Sequence, residues 1–532
     1  MITYADVVAS TLKDAGIEYI FGVPGSLSSV ELIEAASKQG IRYILCSNES
    51  SAAVMAGVYG VMRNRPGVVS TGVGPGAAAA LHGAVQLMLE RAPALFLTDR
   101  FTDADYLRLP RQRIDQPALF GPTTKGTFTL STIDTALTLQ RAIDLSLEGR
   151  QGPVHVDLPY DVMLAEAPEA DMPRQASRER FVGSLGPDSP GLQALADAIE
   201  SASRPAVVVG FQVNRHGSGA ESAFINFAEK LGVPVFNSMA AKGTMPENHP
   251  LAAGTFRGVP SERALLDHAD LLVMIGLDPI EIFNSNWQYK VPVVTLDEVP
   301  VTEGPYRPAV EVVADIEQGL RALTNAVTPH AGWNREDLDA YRQQRETALN
   351  PEGAGLLPGA VIRITRERLS DNGVLTVDAG QHKVVTTDLW ESRLPRGFHT
   401  SSGLGSMAIA LPAALGAKLV EPDAPVVCFT GDGGLLMRVG DLETAVRENL
   451  PIVVVVFNDR KLNMIKLQQL RRGYDPKGTS FAETDFAQVA KGFGFESIRV
   501  DTEAALDAAL EHALASGHPW LIDAQVNPDG YT

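Results

Sequence analysis

The sequence predicts an α/β protein with three domains, each a parallel sheet flanked by helices. Three observations predict it. Short β-branched runs alternate with helix-patterned runs from one end of the chain to the other. The runs are apolar at consecutive positions rather than at every second one, as strands covered on both faces require. The chain of 532 residues also exceeds a single core; at ~150–200 residues per domain it divides into about three.

The first stretch, MITYADVVASTLKDAG, reads as an amphipathic helix. It has no basic region ahead of an apolar core, so no secretory signal is expected. GVVSTG, ALFLTD and VHVDLP are strands of a first domain at 1–165. The polar stretch Ala165–Arg180 reads as a connection. AVVVG, LLVMIG and VVTLD are strands of a central domain at 185–328, and the charged stretch 328–353 reads as a second connection, part of it helical. VLTVDAG, VVCFTG and IVVVVF are strands of a third domain at 354–532, with ETAVREN and EAALDAALEHALAS as helices. EGRQGPVHVDLPYD in the first domain is echoed by ASGHPWLIDAQVNPD in the third: Gly and Pro, an apolar strand with Asp, then Pro. Either the two domains share a fold, or each helix-to-strand turn independently favours Gly and Pro. A shared fold is the expectation.

Composition narrows the function classes. With 45% apolar and 20% charged residues, the chain reads as a soluble globular protein. No run of ~18 apolar residues occurs, so no membrane span is expected. The net charge of −19, with LRRGYDPK as the one short basic cluster, does not fit a nucleic-acid binder. Cys46 and Cys428 lie in apolar segments and make no disulfide framework. A reduced, cytoplasmic location is expected.

The chemistry concentrates in Val426–Asp459. One apolar strand ends in Gly431-Asp432-Gly433-Gly434, and a second, 27 residues on, ends in Asn458-Asp459. Carboxyl ends of buried parallel strands are where α/β sheets keep ligands. Glycines let backbone N–H groups approach an anion, and the helix pattern that follows turns its positive end to the same place. Asp432 would repel a phosphate unless a cation lies between them. Mg2+, which takes oxygen ligands, bridges carboxylate and diphosphate, and Asp459 offers a second carboxylate. Elsewhere, Gly72-x-Gly74-x-Gly76 with Asp99 ending the next strand mimics a dinucleotide fingerprint. Alone it is a weak sign of a nicotinamide dehydrogenase.

Gly-Asp-Gly, some two dozen residues and a closing Asn-Asp resemble the signature of thiamine-diphosphate enzymes. FGVPGS, TGVGPGAAAALHGAVQ, DAGQH and GLGSMAIALPAALGAKL extend the likeness over nearly the whole chain. It resembles the acetolactate synthase large subunits and their 2-oxo acid decarboxylase relatives. The resemblance implies a pyrimidine-binding domain, a central Rossmann-like domain and a diphosphate-binding domain. It also implies thiamine diphosphate and Mg2+ as cofactors and a 2-oxo acid as substrate. Glu49, in YILCSNESSAAVMAGVYG, is implied as the catalytic acid at N1′ of the aminopyrimidine, with its pKa raised by apolar surroundings. Relatives often carry His just ahead of it, where Asn48 stands here.

By the same resemblance Met407, after Gly405, is the wedge that bends the cofactor. Gly380, Gln381 and His382 form a diphosphate-side loop. Asp432, Asp459 and the carbonyl of Lys461 are metal ligands, and Leu462, Asn463 and Met464 continue along the cofactor. Gly25, Ser26, Gln112, Phe120 and Ile465 line the substrate pocket. Arg111 and Arg113 read equally as carboxylate binders or as solvated loop residues. Many relatives have Asn where Asp459 stands, so negative charge is crowded here. MIGLDPIEIFNS lacks the Arg that flavin-binding synthases place there, so FAD is not expected. The family's sites lie between the first domain of one subunit and the third of another, which implies a homodimer or homotetramer. Carboligation of the acetolactate synthase kind is the expected reaction. The alternatives are a simple decarboxylation, for which Ser26 resembles benzoylformate decarboxylase, and lysis of a 2-hydroxy carbonyl compound.

Overall fold

The structure is a computed structural model that describes residues 1–173, 189–283, 287–349 and 353–531. The first sheet holds β1 (Tyr19–Val23), β2 (Arg42–Leu45), β3 (Gly67–Thr71), β4 (Ala94–Arg100), β5 (Thr127–Thr129) and β6 (Pro153–Pro159). The second holds β7 (Pro205–Val209), β8 (Val235–Ser238), β9 (Ala252–Phe256), β10 (Leu271–Ile275), β11 (Val293–Asp297) and β12 (Val310–Val313). The third holds β13 (Val374–Val377), β14 (Phe398–Thr400), β15 (Val426–Gly431), β16 (Ile452–Asn458), β17 (Glu496–Val500) and β18 (Trp520–Gln525). Each is six-stranded and parallel throughout, with orders β2-β1-β3-β4-β6-β5, β12-β11-β10-β7-β8-β9 and β14-β13-β15-β16-β18-β17.

Counted from its own first strand, the third sheet repeats the order of the first. The two echoed segments are β6 and β18, the same strand of that shared order. The central sheet has its chain reversal between β7 and β10, as dinucleotide-binding folds do. The middle strands of every sheet are buried along their length, β3, β10 and β16 among them. Each fully buried Val, Ile or Phe there contributes ~1.5–3 kcal/mol, which explains the apolar runs.

The first and third domains share one core. The helices Glu49–Arg63 and Ala410–Val420 lie side by side in it, with Phe21, Phe96, Val454 and Leu521 around them. Both helices are rich in Ala and Gly, which lets the two axes come close. The connection expected at 328–353 contains the helix Arg335–Leu349. Arg342 and Arg345 of that helix donate to the carbonyls of Ala252 and Ala253 on β9, and Arg345 also donates to the Asp388 carbonyl of the third domain. Of the expected first connection, residues beyond 173 lie outside the described residues, as do the boundary at 185, residues 350–352 and residue 532. Among the described residues no helix is long and apolar enough to cross a membrane.

Candidate active site

β15 and β16 are neighbours in register, Gly431 opposite Phe457. Asp432 and Asp459 therefore leave the sheet side by side at its carboxyl edge. Asp432 is 5% exposed. Its Oδ1 accepts the Gly433 N–H at 2.6 Å, while its buried Oδ2 has no hydrogen-bond partner among the described residues. Asp459 accepts the Lys461 N–H at 2.8 Å and the Asn463 side-chain amide. Burial pushes the Asp432 carboxyl up to about 6. Burial, and then the charge of Asp432, push Asp459 up to about 7. Two carboxyls this close, with one oxygen unpartnered, form a donor set that fits a hard divalent cation. Among the described residues no group of three or more His, Cys, Asp or Glu side chains could hold a metal. These two would thus be the side-chain ligands, and further oxygens would come from a backbone carbonyl, water and an anionic ligand.

The floor of this corner is built by residues the sequence reading brought together. Gly380 precedes the helix Gln381–Leu389. His382 is buried, stacks on Phe457 with ring centroids 5.1 Å apart, and lies beneath Gly431. Burial lowers its pKa to about 3, so it is neutral. Gln381 donates to the Tyr531 carbonyl at 3.4 Å. Gly434 is required by space, because a side-chain carbon there would collide with the Asp378 carboxylate. Leu462 and Phe481 pack over Gly433. Asn463 is buried, whereas Met464 and Ile465 remain exposed beside it. Gly405 is exposed and Met407 half-buried on the loop ahead of the helix Ala410–Val420.

Glu49 starts its helix after β2, with Asn48 as the N-cap accepting the Ser50 N–H. Its Oε1 stands over Gly76, where a side-chain carbon would come within 3.3 Å. Burial raises its pKa. The residues around it are tied to the third domain: Arg438 donates to Asn48 Oδ1 and Ser51 Oγ, at 2.8 and 2.7 Å, and Ser47 and Ser51 donate to Asp441. Asn48 thus both caps its helix and anchors Arg438. Gly25 abuts Gly72 and Asp99, Ser26 is exposed, and the Gln112 backbone packs against Gly74. Arg111 is exposed, and Arg113 donates to the Tyr106 carbonyl.

One expected pocket residue is misplaced. Phe120 is fully buried, stacked on His155 at 4.4 Å between ring centroids, and belongs to the core with Phe96. Its aromatic ring gains more from that packing than from a solvated pocket. The dinucleotide fingerprint is also accounted for. Asp99 accepts the N–H groups of Leu27 and Ser29 and the Ser29 hydroxyl, so it is spent on the Gly25–Ser26 loop. Three residues the reading passed over belong to the site. Asp378 closes DAGQH's strand, and a strand-end Asp is a usable sign. The buried Tyr531 has its phenol pushed up by burial and by both acids. Arg438 has no local signal at all.

Comparison with known proteins decides the family. The model of the thiamine pyrophosphate enzyme N-terminal TPP binding domain matches residues 2–119, the central-domain model residues 192–323, and the C-terminal TPP binding domain model residues 378–524. The chain belongs to the thiamine pyrophosphate enzymes. Within that family it is similar to the acetolactate synthase of Bacillus subtilis (strain 168), 28% identical over 98% of this chain and 93% of the relative. It is likewise 28% identical to the acetolactate synthase isozyme 1 large subunit of Escherichia coli (strain K12), over 99% and 94%. The catabolic acetolactate synthase of Raoultella terrigena matches at 28%, over 98% and 95%. In this thiamine pyrophosphate enzyme the matched regions hold β1–β4 of the first sheet, all six strands of the second and, to within one residue, β14–β18 of the third.

Proposed function

We propose that this chain is a Mg2+-dependent carboligase that decarboxylates a 2-oxo acid and joins the remaining acyl unit to a second carbonyl. The observation that carries the reading is the Asp432–Asp459 pair with its unpartnered Oδ2. Asp432, Asp459 and the Lys461 carbonyl are assigned to the metal. Gly431, Gly433 and Gly434 are assigned to a diphosphate through their backbone, beside Gly380, Gln381 and neutral His382. When bound, thiamine diphosphate supplies a nucleophilic thiazolium carbon and an electron sink for loss of CO2.

The protein's own share is proton control and orientation. Glu49 is assigned to the aminopyrimidine, where its raised pKa favours the protonated, hydrogen-bond-donating carboxyl. Met407, with Gly405, is assigned to the cofactor's underside, and Leu462, Asn463 and Met464 to its flank. Gly25, Ser26, Gln112 and Ile465 are assigned to the substrate.

The site is completed by a second subunit, in a homodimer or homotetramer. Leu436 and Met437, on the helix that Asp432 begins, are 42% and 59% exposed, an apolar surface beside the metal corner that a partner would cover. No flavin is proposed, and Glu281 ties together the ends of β7, β8 and β10 where one would approach. Glu281 accepts the Phe211 N–H at 3.1 Å, the Asp278 N–H at 2.9 Å and the Ser238 hydroxyl. A cytoplasmic location accords with two buried free cysteines.

The test is incubation with Mg2+, thiamine diphosphate and a panel of 2-oxo acids, with products identified by mass spectrometry. A carboligated product is expected. An aldehyde alone would replace the reading with a decarboxylase. Cleavage of 2-hydroxy carbonyl compounds without decarboxylation would replace it with a lyase.

A further inference from the structure

The loop from Ser401 to Ala410 carries Met407, and an uncommon backbone follows that residue: Ala408 has φ 63°. A non-glycine residue in the left-handed region persists only when its surroundings over-determine it. Two carboxylates supply that constraint. At the far end of the loop, Asp378 Oδ1 accepts the N–H groups of Ile409 and Ala410 at 2.6 and 2.8 Å, while its Oδ2 accepts the Thr430 hydroxyl at 2.6 Å. At the near end, Glu90 accepts the N–H groups of Ser402, Gly403 and Leu404 at 3.0, 2.9 and 3.4 Å, and the Ser401 hydroxyl at 3.1 Å. Ser401 Oγ in turn accepts the Ser406 N–H at 3.0 Å.

Asp378 belongs to the loop's own domain, but Glu90 does not. It ends the first-domain helix Pro75–Leu89. His82, Gln86 and Glu90 are spaced four apart on one face of that helix. His82 Nε2 meets the Ser406 hydroxyl at 2.9 Å, and Gln86 Oε1, at 3.0 Å, shares the single Ser401 hydroxyl proton with Glu90. The other end of the same helix is Pro75-Gly76, over which Glu49 stands. A single helix thus touches both the Met407 loop and the Glu49 carboxyl. The central domain secures it from behind, where Arg215 donates to the Glu90 carbonyl at 3.3 Å.

We infer that Glu90 is a positioning residue: by gripping the amides of 402–404 it sets the shape of the turn that presents Met407, so the first domain governs how the third domain bends its cofactor. This rests on the assignment of Met407 under Proposed function. A carboxylate suits the grip, because its two oxygens accept all of these bonds and carry no N–H of their own; burial raises the Glu90 pKa, and the gripped amides of 402–404 oppose that rise. An amide has one acceptor oxygen, and its NH2 would face other donors.

The test pairs Glu90→Gln with Ser401→Ala and reads two quantities. In cofactor-free protein, backbone hydrogen–deuterium exchange by mass spectrometry is expected to quicken at 402–406 in Glu90→Gln and to stay unchanged at 409–410, which Asp378 holds. In holoenzyme saturated with Mg2+ and thiamine diphosphate, deuterium exchange at the thiazolium C2 is followed by acid quench and NMR. It is expected to slow about tenfold or more in Glu90→Gln, with cofactor affinity within about threefold, since small displacements of a positioned group cost rates of this order. Ser401→Ala, which removes one hydroxyl from the grip and is expected to fold even if Glu90→Gln does not, should slow C2 exchange by roughly half that factor on a logarithmic scale. A lower melting temperature with wild-type C2 exchange in the folded variants would overturn the inference and leave the proposed function standing. Wild-type protein that fails to accelerate C2 exchange at all would sink both.

Discussion

The first and third domains share one strand order and use its carboxyl edge oppositely. In the third domain the third and fourth strands both end at an acid, and in the first domain the fourth does. In the third domain these are β15 and β16, and Asp432 keeps an oxygen without a partner. In the first domain β4 ends at Asp99-Arg100, and Asp99 is saturated by Leu27 and Ser29. Burial treats both domains alike, pushing Asp99 and Asp432 each up to about 6. The observed difference is therefore not burial but the one oxygen, Asp432 Oδ2, that has no hydrogen-bond partner among the described residues, and the proposed ligand role rests on it. The chemical contribution proposed for the first domain lies elsewhere, at Glu49 behind β2. The central domain takes the bracing strategy furthest, with the buried Glu281 accepting N–H groups of Phe211 and Asp278 beyond the ends of β7 and β10.

The comparison can be broken most sharply at Glu49. Glu49→Gln keeps the helix start but removes a titratable acid. Turnover of the preferred 2-oxo acid is expected to fall by about 10²–10⁴, the usual weight of a general acid or base, with cofactor affinity nearly unchanged by calorimetry. The paired substitutions Asp432→Ala and Asp99→Asn test the two edges directly. Asp432→Ala is expected to weaken Mg2+-dependent thiamine diphosphate binding at least about 100-fold, beyond what loss of an outer-shell partner costs. Asp99→Asn is expected to lower the melting temperature and leave the affinity alone. Equal losses of affinity would erase the distinction drawn here. Asp459→Asn should retain binding within about tenfold, because the amide oxygen still serves as a ligand and charge crowding is relieved.

The smallest effect is on pH dependence. Asp432 and Asp459 have folded pKa values near 6 and 7 against an ordinary 3.8. The folded, metal-free chain holds protons that the unfolded chain has already lost. The contribution of these groups to stability is therefore greatest at low pH and declines as pH rises from about 4 to about 7. Mg2+ competes with those protons, so its affinity should climb through the same window and level off above it. Calorimetry at several pH values with and without Mg2+ reads both trends. A flat Mg2+ affinity from pH 5.5 to 8, roughly the window where these carboxyls titrate, would show that the pair is not the metal's ligand set.

The alternation of strand and helix was legible because it is written locally. IVVVVF and VVCFTG read as buried strands from their own composition, and they are β16 and β15. The glycines of Gly431–Gly434 and the acids beside them were legible for the same reason. Phe120 was misread because its partner, His155, is distant in sequence. Glu90 and Arg438 were overlooked because nothing near them in the chain distinguishes them from surface charges.

By itself, the order of residues determined three parallel sheets, the kinship of the outer two, and a pair of acids at adjacent strand ends. Those follow from periodicity, β-branching and backbone permissiveness, which act over a few residues. Which carboxylates are free and which are consumed, which aromatic ring is core, and how one domain's helix grips another's loop were decided only by tertiary structure. A hydrogen bond is claimed by whichever donor arrives in space, and burial depends on neighbours that the chain delivers from hundreds of residues away, as when Glu90 meets Ser402.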